Sequence, residues 1–277
     1  MGSQTPPQPR VLMTGIAFGE SPRWHEGRLW FSDWGAEELI AVDLDGNSEV
    51  IMRVRSFPFC IDWLPDGRLL VVHSRDRLLL RWEPDGSLVT HADLSRLADG
   101  WNEIVVDGRG NAYVNGGTVA LVTPDGAARQ VADGIAFGNG MAVTPDNSTL
   151  IVAESHSKRL TAFDIAANGG LSNRRVWADL GDGVPDGICL DAEGAVWYAD
   201  VPNKRCARVR EGGEELQSIG LDRGCFACML GGSDLRTLFL VAREWHGMAN
   251  LSGGMGTGQV LTVPAPAPAA GWPRSQP

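Results

Sequence analysis

The chain has 277 residues, 43% of them hydrophobic and 21% charged, which is the composition of an ordinary globular protein with enough apolar material for a large core. The formal net charge of −10 disfavours nucleic acid or an anionic membrane as the main partner, since both require clustered Lys and Arg. No apolar run approaches the length of a membrane span and the first residues lack an apolar signal core, so we expect a cytoplasmic protein.

Short strands separated by tight turns account for most of the chain. The first predicted strand covers Arg10 to Gly15, and six strand–turn–strand segments follow it, starting near Gly19, Phe59, Asn102, Asn139, Asp186 and Ala227. Asp-Gly and related turn sequences separate the strands in most segments, and a second strand pair follows most of them. The Pro- and Ala-rich tail, residues 264–277, is predicted to be disordered.

The six segments form a repeat. Their equivalent residues recur at intervals of 37 to 47 residues, and a period near forty with about four strands per unit is typical of propeller blades. The sequence therefore predicts an all-β fold, a six-bladed β-propeller that forms a single domain over residues 1–263. Because the ring must close, we expect the strand at 10–15 to complete the last blade beside the segment GQVLTV.

The first position of each repeat predicts a metal site in the central channel. It is occupied by Glu20, Phe59, Asn102, Asn139, Asp186 and Ala227, and four of these carry a side-chain oxygen. Equivalent positions on the innermost strands face the axis at one height, so the four oxygen-bearing side chains converge there. Two carboxylates and two amides that meet at one point require a hard divalent cation between them. Taken singly, Asn139 and Asp186 precede glycine and also fit turns, and Glu20 also fits a loop acid.

Cysteine usage is the remaining class indicator. Five cysteines without regular spacing do not describe a disulfide framework. Cys225 and Cys228 form a C-x-x-C pair, which is compatible with zinc or redox chemistry, but no second pair exists and the surrounding segment FACMLGG is apolar. We therefore expect reduced thiols in the core.

The motifs GESPRWHEGRLWFSDW, FGNGMAVTPDNSTLIVAES, PDGICLDAEGAVWYAD and ACMLGGSDLRTLF resemble those of the SMP-30/gluconolactonase/luciferin-regenerating-enzyme family, from about Ile16 to Arg243. The resemblance implies a six-bladed propeller with one divalent metal, commonly calcium and in some members zinc, manganese or iron(II). It also implies hydrolysis of sugar lactones and other lactones. The family's metal ligands correspond to Glu20, Asn102, Asn139 and Asp186, the set that the repeat register indicates independently.

The third repeat departs from that family. Relatives usually have Asn-Asp preceded by Arg or Cys, whereas this chain has Trp101, Asn102 and Glu103. The missing Arg removes a sugar-contacting group, and Trp101 is expected to provide an apolar wall. The segment after Asn115 is also short. These differences predict a lactone less polar or larger than a sugar lactone.

Three residues are candidates for catalysis or substrate contact in addition to the metal. Asp186 is the first candidate for the base that activates water and protonates the leaving alkoxide, because the resemblance implies that role. Glu103 is the second candidate for the base and a candidate substrate contact, although a salt-bridged strand residue is an equal alternative. His156 lies just past a strand and is a candidate substrate contact, with simple exposure as its alternative. His73 and Asp200 also end strands and are weaker candidates.

The predicted function is a metal-dependent, gluconolactonase-like hydrolase acting on a small lactone or ester, as a monomer or weak homo-oligomer. One alternative is a calcium-binding propeller without catalysis, since a fold does not determine a function. Another is an esterase or phosphotriesterase using the same metal site. A condensing enzyme resembling strictosidine synthase is disfavoured, because such enzymes normally lack the full set of four ligands.

Overall fold

A computed structural model describes residues 8–273 of the chain, and it shows a six-bladed β-propeller in which each blade is a twisted antiparallel sheet. The first strand, β1 (Arg10–Ile16), belongs to the last blade. Blades 1 to 3 follow in chain order, each with its innermost strand first. Blade 1 contains β2 (Gly19–His25), β3 (Arg28–Asp33), β4 (Glu38–Val42) and β5 (Ser48–Arg53), and blade 2 contains β6 (Phe59–Trp63), β7 (Leu69–His73), β8 (Leu78–Trp82) and β9 (Leu88–Asp93). Blade 3 contains β10 (Glu103–Val106), β11 (Ala112–Asn115), β12 (Val119–Val122) and β13 (Ala128–Ala132).

The second half of the chain repeats this arrangement. Blade 4 contains β14 (Gly138–Val143), β15 (Thr149–Glu154), β16 (Arg159–Ile165) and β17 (Leu171–Asp179). Blade 5 contains β18 (Pro185–Asp191), β19 (Val196–Asp200), β20 (Arg205–Val209) and β21 (Glu215–Gly220), and blade 6 contains β22 (Gly224–Gly231), β23 (Thr237–Arg243) and β24 (Gly258–Pro264). A single 3₁₀ turn, Met248–Asn250, lies between β23 and β24. No helix in the described part of the chain is long and apolar enough to cross a membrane.

Asp-Gly turns join the first two strands of several blades, as the sequence predicts. In blade 2 the turn lies between β6 and β7, where the Gly67 N–H donates to the Leu64 carbonyl at 2.9 Å and the Arg68 N–H donates to Asp66 at 3.1 Å. Gly67 has a φ of 86°, a conformation that glycine adopts without the steric cost paid by other residues. The spacing of these turns therefore sets the length of the paired strands.

The ring closes between the two ends of the domain. Strand β1 pairs antiparallel with β24, from Arg10 opposite Thr262 to Ile16 opposite Gly258, so the strand expected at 10–15 does complete blade 6. Between blades 6 and 1, Trp24 stacks on Phe239 with ring centroids 5.2 Å apart. The core consists of such clusters between neighbouring blades.

The tail after β24 differs from the expectation of disorder. Residues Ala269–Ala270 form a short strand, β25, that pairs with β18, and the backbone of Trp272 exchanges hydrogen bonds with Val143. Ala267 is fully buried, because small side chains let this segment pack closely against the blades. The last four residues of the predicted tail, 274–277, lie outside the described residues.

All five cysteines are free thiols in the core. Four of them belong to one apolar cluster around blades 5 and 6, namely Cys189, Cys206, Cys225 and Cys228. The Sγ atoms of Cys189 and Cys228 lie 3.9 Å apart, a distance between two thiols and not a disulfide bond. This location agrees with the expected core thiols.

Candidate metal centre

A cavity of about 290 Å³ lies at the end of the propeller where the innermost strands begin. Its polar lining comes from six residues: Glu20, Asn102, Asn139, Ser155, His156 and Asp186. The four residues predicted as metal ligands therefore share one cavity, and they come from blades 1, 3, 4 and 5.

Bulges near the starts of three innermost strands orient three of these four side chains. The pairing of β2 with β3, of β14 with β15 and of β18 with β19 is interrupted by a bulge beginning at Glu20, Gly138 and Pro185, respectively. A bulge bends its strand and changes the direction of the side chains beside it. The innermost strands consequently turn towards the axis where the ligand candidates are placed.

The glycines after Asn139 and Asp186 serve close packing and not a turn. A Cβ atom on Gly140 would lie 2.4 Å from the Ile188 nitrogen, and one on Gly187 would lie 2.7 Å from the Ala227 Cα. Both glycines are inside strands, so the N-G and D-G pairs let neighbouring innermost strands approach each other. The turn interpretation of these dipeptides is thereby excluded.

A hydrogen-bond chain connects the two amides. Asn102 Nδ2 donates to the Gly138 carbonyl at 3.0 Å and also to Asn139 Oδ1. Asn139 Nδ2 donates to Ser155 Oγ at 2.8 Å, and Ser155 Oγ donates to the Pro185 carbonyl at 2.6 Å. These hydrogen bonds fix the positions of both amides before any ligand binds.

The two carboxylates lack such compensation. Burial, and then the nearby charges of Asp186 and Glu103, raise the pKa of Glu20 well above its ordinary value. Burial and the Glu103 charge raise the pKa of Asp186 in the same way. Arg243 offsets only part of the Glu20 charge. A buried pair of like charges of this kind is relieved by a cation bound between them.

The donor chemistry fits a hard cation. No group of three or more His, Cys, Asp or Glu side chains in residues 8–273 has the arrangement of a metal site. A metal here would therefore be held by the carboxylates of Glu20 and Asp186 together with the amide oxygens of Asn102 and Asn139. Such an all-oxygen set suits calcium better than zinc, which prefers nitrogen and sulfur ligands.

Glu103 does not line the cavity. Its carboxylate accepts hydrogen bonds from Ser21 Oγ at 3.0 Å and from Arg23 Nη2 at 3.1 Å, and Arg23 also lies 3.7 Å from Asp62. Ser21 adopts a φ of 48°, uncommon outside glycine, and its Oγ also accepts a hydrogen bond from the Ile61 N–H. The structure therefore favours the salt-bridged alternative for Glu103 over a role as base or substrate contact.

The other two predicted substrate contacts differ in position. Trp101 is 2% exposed and packs in the core with Cys60 and Ile104, so the expected wall at the substrate is wrong. Trp101 and Asn102 lie just before β10, and the Trp101 side chain packs between blades 2 and 3 while Asn102 lines the cavity. His156 does line the cavity, and its ring stacks on Phe137 with centroids 4.6 Å apart.

Sequence reasoning missed the loop between β23 and β24. Trp245, Met248 and Leu251 of this loop line the cavity. Arg243 holds the loop from below, donating to the carbonyls of Leu251 at 2.7 Å and Gly253 at 2.8 Å. The one available signal was a charged residue, Arg243, at the end of an apolar strand.

The family model for the SMP-30/gluconolactonase/LRE-like region matches residues 18–244. The chain belongs to this family. Among curated family relatives, regucalcin of Xenopus laevis is 27% identical over 88% of this chain and 91% of its own length. The 6-deoxy-6-sulfogluconolactonase of Pseudomonas putida is also 27% identical, over 85% of this chain and 84% of its own length.

Solved structures of the family show the same fold. A calcium-binding protein, regucalcin from Agrobacterium tumefaciens, superposes with a TM-score of 0.80 at 22% identity and covers 100% of this chain and 99% of its own. The relatives thus include both lactonases and proteins named for calcium binding.

Proposed function

We propose that the protein is a metal-dependent hydrolase that opens a lactone ring, with one divalent ion held by Glu20, Asn102, Asn139 and Asp186. Calcium is the first choice for that ion, and zinc, manganese and iron(II) are the alternatives. The observation that carries the proposal is a pair of carboxylates with few hydrogen-bond donors, Glu20 buried and Asp186 half-buried, in a cavity large enough for a small ring.

The reaction consumes one water. The water oxygen bonds to the acyl carbon, the bond from that carbon to the ring oxygen breaks, one proton passes to the ring oxygen, and a hydroxy acid results. A divalent ion held by these four residues would supply Lewis acidity at the acyl oxygen. Asp186 is the proposed proton carrier between water and ring oxygen, because its carboxylate is half-buried in the cavity and accepts no hydrogen bond from residues 8–273.

The remaining lining residues bind and orient the ring. His156, on the rim, is proposed to contact the substrate. Ser155 and Asn115 hold the Asn139 segment, the latter by donating to the Asn139 carbonyl at 2.6 Å. The apolar walls support the expectation of a lactone less polar than a sugar lactone, although not through Trp101.

We further propose that the protein acts in the cytoplasm on small molecules, as a monomer or weak homo-oligomer. The five free, buried thiols support a reducing compartment. Lactonases among the relatives support the substrate class.

The decisive experiment separates metal binding from turnover. Protein dialysed against chelator should lose lactone hydrolysis, and separate additions of calcium, manganese, zinc and iron(II) should restore it to different degrees. A pH-indicator assay on a lactone panel, beside calorimetric metal titration, measures both properties. Tight calcium binding without hydrolysis of any lactone or ester would instead support the calcium-binding propeller. Full hydrolysis by metal-free protein would contradict the proposal.

A further inference from the structure

The cavity walls above the polar floor are almost entirely apolar. Ten of the sixteen lining residues are apolar, and four of the six polar ones are the proposed metal ligands. The other two are Ser155 and His156. Ser155 Oγ is already engaged, since it accepts from Asn139 and donates to the Pro185 carbonyl. His156 and the indole N–H of Trp245 are the main side-chain groups left to pair with polar parts of a substrate outside its reacting ester.

Positive charge is also absent from these walls. No Lys or Arg of the described chain lines the cavity. The nearest guanidinium that the site employs, Arg243, is 1% exposed and lies beneath aromatic rings, 3.8 Å from the Phe18 centroid and 4.9 Å from the Phe226 centroid. Its donors reach the loop carbonyls of Leu251 and Gly253. Carboxylate, phosphate or sulfonate substituents packed against these walls would therefore meet no Lys or Arg side chain.

We infer that the substrate is a neutral lactone bearing an alkyl or aryl substituent. The substituent packs between the β23–β24 loop and the aromatic side chains that line the cavity. This inference rests on the proposed function and names its substrate class. Each sugar hydroxyl buried here without a partner would weaken binding by roughly ten-fold or more. Each methylene buried against Val201, Phe226 or Leu251 would strengthen binding by up to about four-fold.

The size of the cavity limits the substituent. A volume of about 290 Å³ is at the lower end of the roughly 300–1,000 Å³ that small-molecule sites span. The half-buried side chains of Val184 and Leu251 line the space beside the floor. A five- or six-membered ring with a short chain or one aryl ring is therefore the expected class of occupant.

The first test compares δ-valerolactone, δ-octalactone, δ-decalactone and D-glucono-δ-lactone with metal-loaded protein. We expect kcat/KM to rise with chain length by up to about four-fold per methylene until the cavity is filled. The value for glucono-δ-lactone should be at least about ten-fold below that for δ-decalactone. Preference for the sugar lactone, or no dependence on chain length, would overturn the inference and leave the proposed lactonase intact. Hydrolysis of none of the four would defeat the proposed function itself.

A second test measures binding without turnover. Trp34 and Trp245 line the cavity, so their fluorescence reports an occupant. Lactams resist hydrolysis, and titration with δ-valerolactam and its alkyl-substituted forms should show affinity that increases with chain length, with or without metal. Equal affinity for all of these lactams would contradict the inference.

Two matched pairs of variants locate the substituent. Leu251→Ala removes cavity wall, whereas Met255→Ala changes the same loop at an exposed residue that does not line the cavity. Val184→Thr adds a hydroxyl to the wall, whereas Val176→Thr adds one at the exposed outer strand β17. The two wall variants should each lower the ratio of δ-decalactone to δ-valerolactone activity by about five-fold or more, and the two controls should preserve it. Unchanged ratios in both wall variants would refute the placement of the substituent.

Discussion

Two sets of acids lie at the cavity end of this propeller, one at the axis and one a single strand further out. Glu20 and Asp186 begin innermost strands, whereas Asp33, Glu154 and Asp200 end the second strands of blades 1, 4 and 5. The pairing places the two sets side by side, since Gly19 lies opposite Asp33 and Pro185 lies opposite Asp200. The chemistry of the two sets is nevertheless opposite.

The outer acids are fully compensated. Asp33 accepts from the N–H groups of Ala17 at 2.9 Å and Phe18 at 2.8 Å. Glu154 accepts from Arg159 and Arg174, and Asp200 accepts from Asn203 and Arg205. Each thereby fastens a loop at the cavity end of its own blade.

The inner acids have almost no protein partner. Within residues 8–273, Asp186 accepts no hydrogen bond, and Glu20 accepts only a long one of 3.4 Å from its neighbour Ser21. Buried acids that stabilise a fold acquire donors, so acids left without them are available to a ligand. Folding and function therefore use the same residue type at adjacent positions, and the number of donors distinguishes them.

The largest effect should come from removing charge at the inner set. Asp186→Asn keeps the shape and should lower kcat/KM about a hundred- to ten-thousand-fold, because both a metal ligand and the proton carrier are lost. Asp182→Asn is the matched control, since Asp182 is a fully exposed acid in the loop just before β18, and its charge pairs at 3.6 Å with Lys158. Near-normal turnover in Asp186→Asn would exclude this residue as the carrier.

Removing a charge from the outer set should lower the stability of the fold and leave metal binding unchanged. Glu154→Gln should lower the free energy of unfolding by about 2–4 kcal/mol, because Arg159 and Arg174 lose their buried partner. Calcium affinity should stay within about two-fold of that of the natural protein. Urea denaturation and calorimetric titration measure the two quantities, and a large loss of metal affinity would show that the two sets are not separate.

The contribution of the Glu154 carboxylate to the free energy of unfolding should depend on pH. Burial alone would raise the pKa of Glu154, but hydrogen bonds from Thr161, the Ala136 N–H and Arg174 outweigh burial and hold the pKa below 4.5. A depressed carboxyl pKa contributes stability that is complete above the unfolded value and is lost as pH falls through the folded value. The stability difference between the natural protein and Glu154→Gln should therefore shrink below about pH 4.5. A difference that stays constant down to pH 3 would argue against this account.

A smaller and opposite effect is expected at the inner set in the absence of metal. Glu20→Gln removes one of two repelling carboxylates and should stabilise the chelated protein by about 1–2 kcal/mol. Calcium at a hundred times its dissociation constant should add about 2.7 kcal/mol to the natural protein and much less to the variant. Thermal melts with and without calcium measure both effects. Destabilisation of the chelated variant would mean that Glu20 supports the fold.

The smallest effect concerns the residue under the loop. Arg243→Lys keeps a positive charge near Glu20 but cannot reach both loop carbonyls while stacking on Phe18. We expect KM to rise several-fold with little change in kcat, and faster proteolysis between Gly247 and Gly256. A fall in kcat with an unchanged KM would indicate that Arg243 acts on the metal ligands and not on the loop.

The blade count and the shared cavity of the four ligand candidates were predictable because a repeat carries its own register. Glu20, Asn102, Asn139 and Asp186 occupy equivalent positions, and the symmetry of the fold converts that equivalence into proximity. The repeat register gives the position of Asn102 but not the direction of the neighbouring Trp101 side chain, which packs in the core. A repeat therefore locates positions, and the local packing decides which way the neighbouring side chains face.

Features outside the repeat could not be predicted in this way. The cavity wall from Trp245 to Leu251 lies in a loop, 244–257, that is far longer than the loops at the same place in the other blades, so the repeat gives no position for its residues. The pairing of Ala269–Ala270 with β18 depends on small side chains meeting an available strand edge, although Pro and Ala composition alone suggested disorder. Both features depend on contacts between segments that are distant in the chain.

The junction of β1 and β24 has a kinetic consequence. Thr262 Oγ1 donates to the Arg10 carbonyl across 252 positions of sequence, so blade 6 is finished only after nearly the whole chain has been synthesised. Pairing between such distant segments forms slowly. Strand β1 is mostly exposed and its register with β24 is interrupted twice, whereas β23 pairs with β24 without interruption. The amide hydrogens of β1 should therefore exchange with solvent earlier than those of the inner strands, and the ring should open first at this seam.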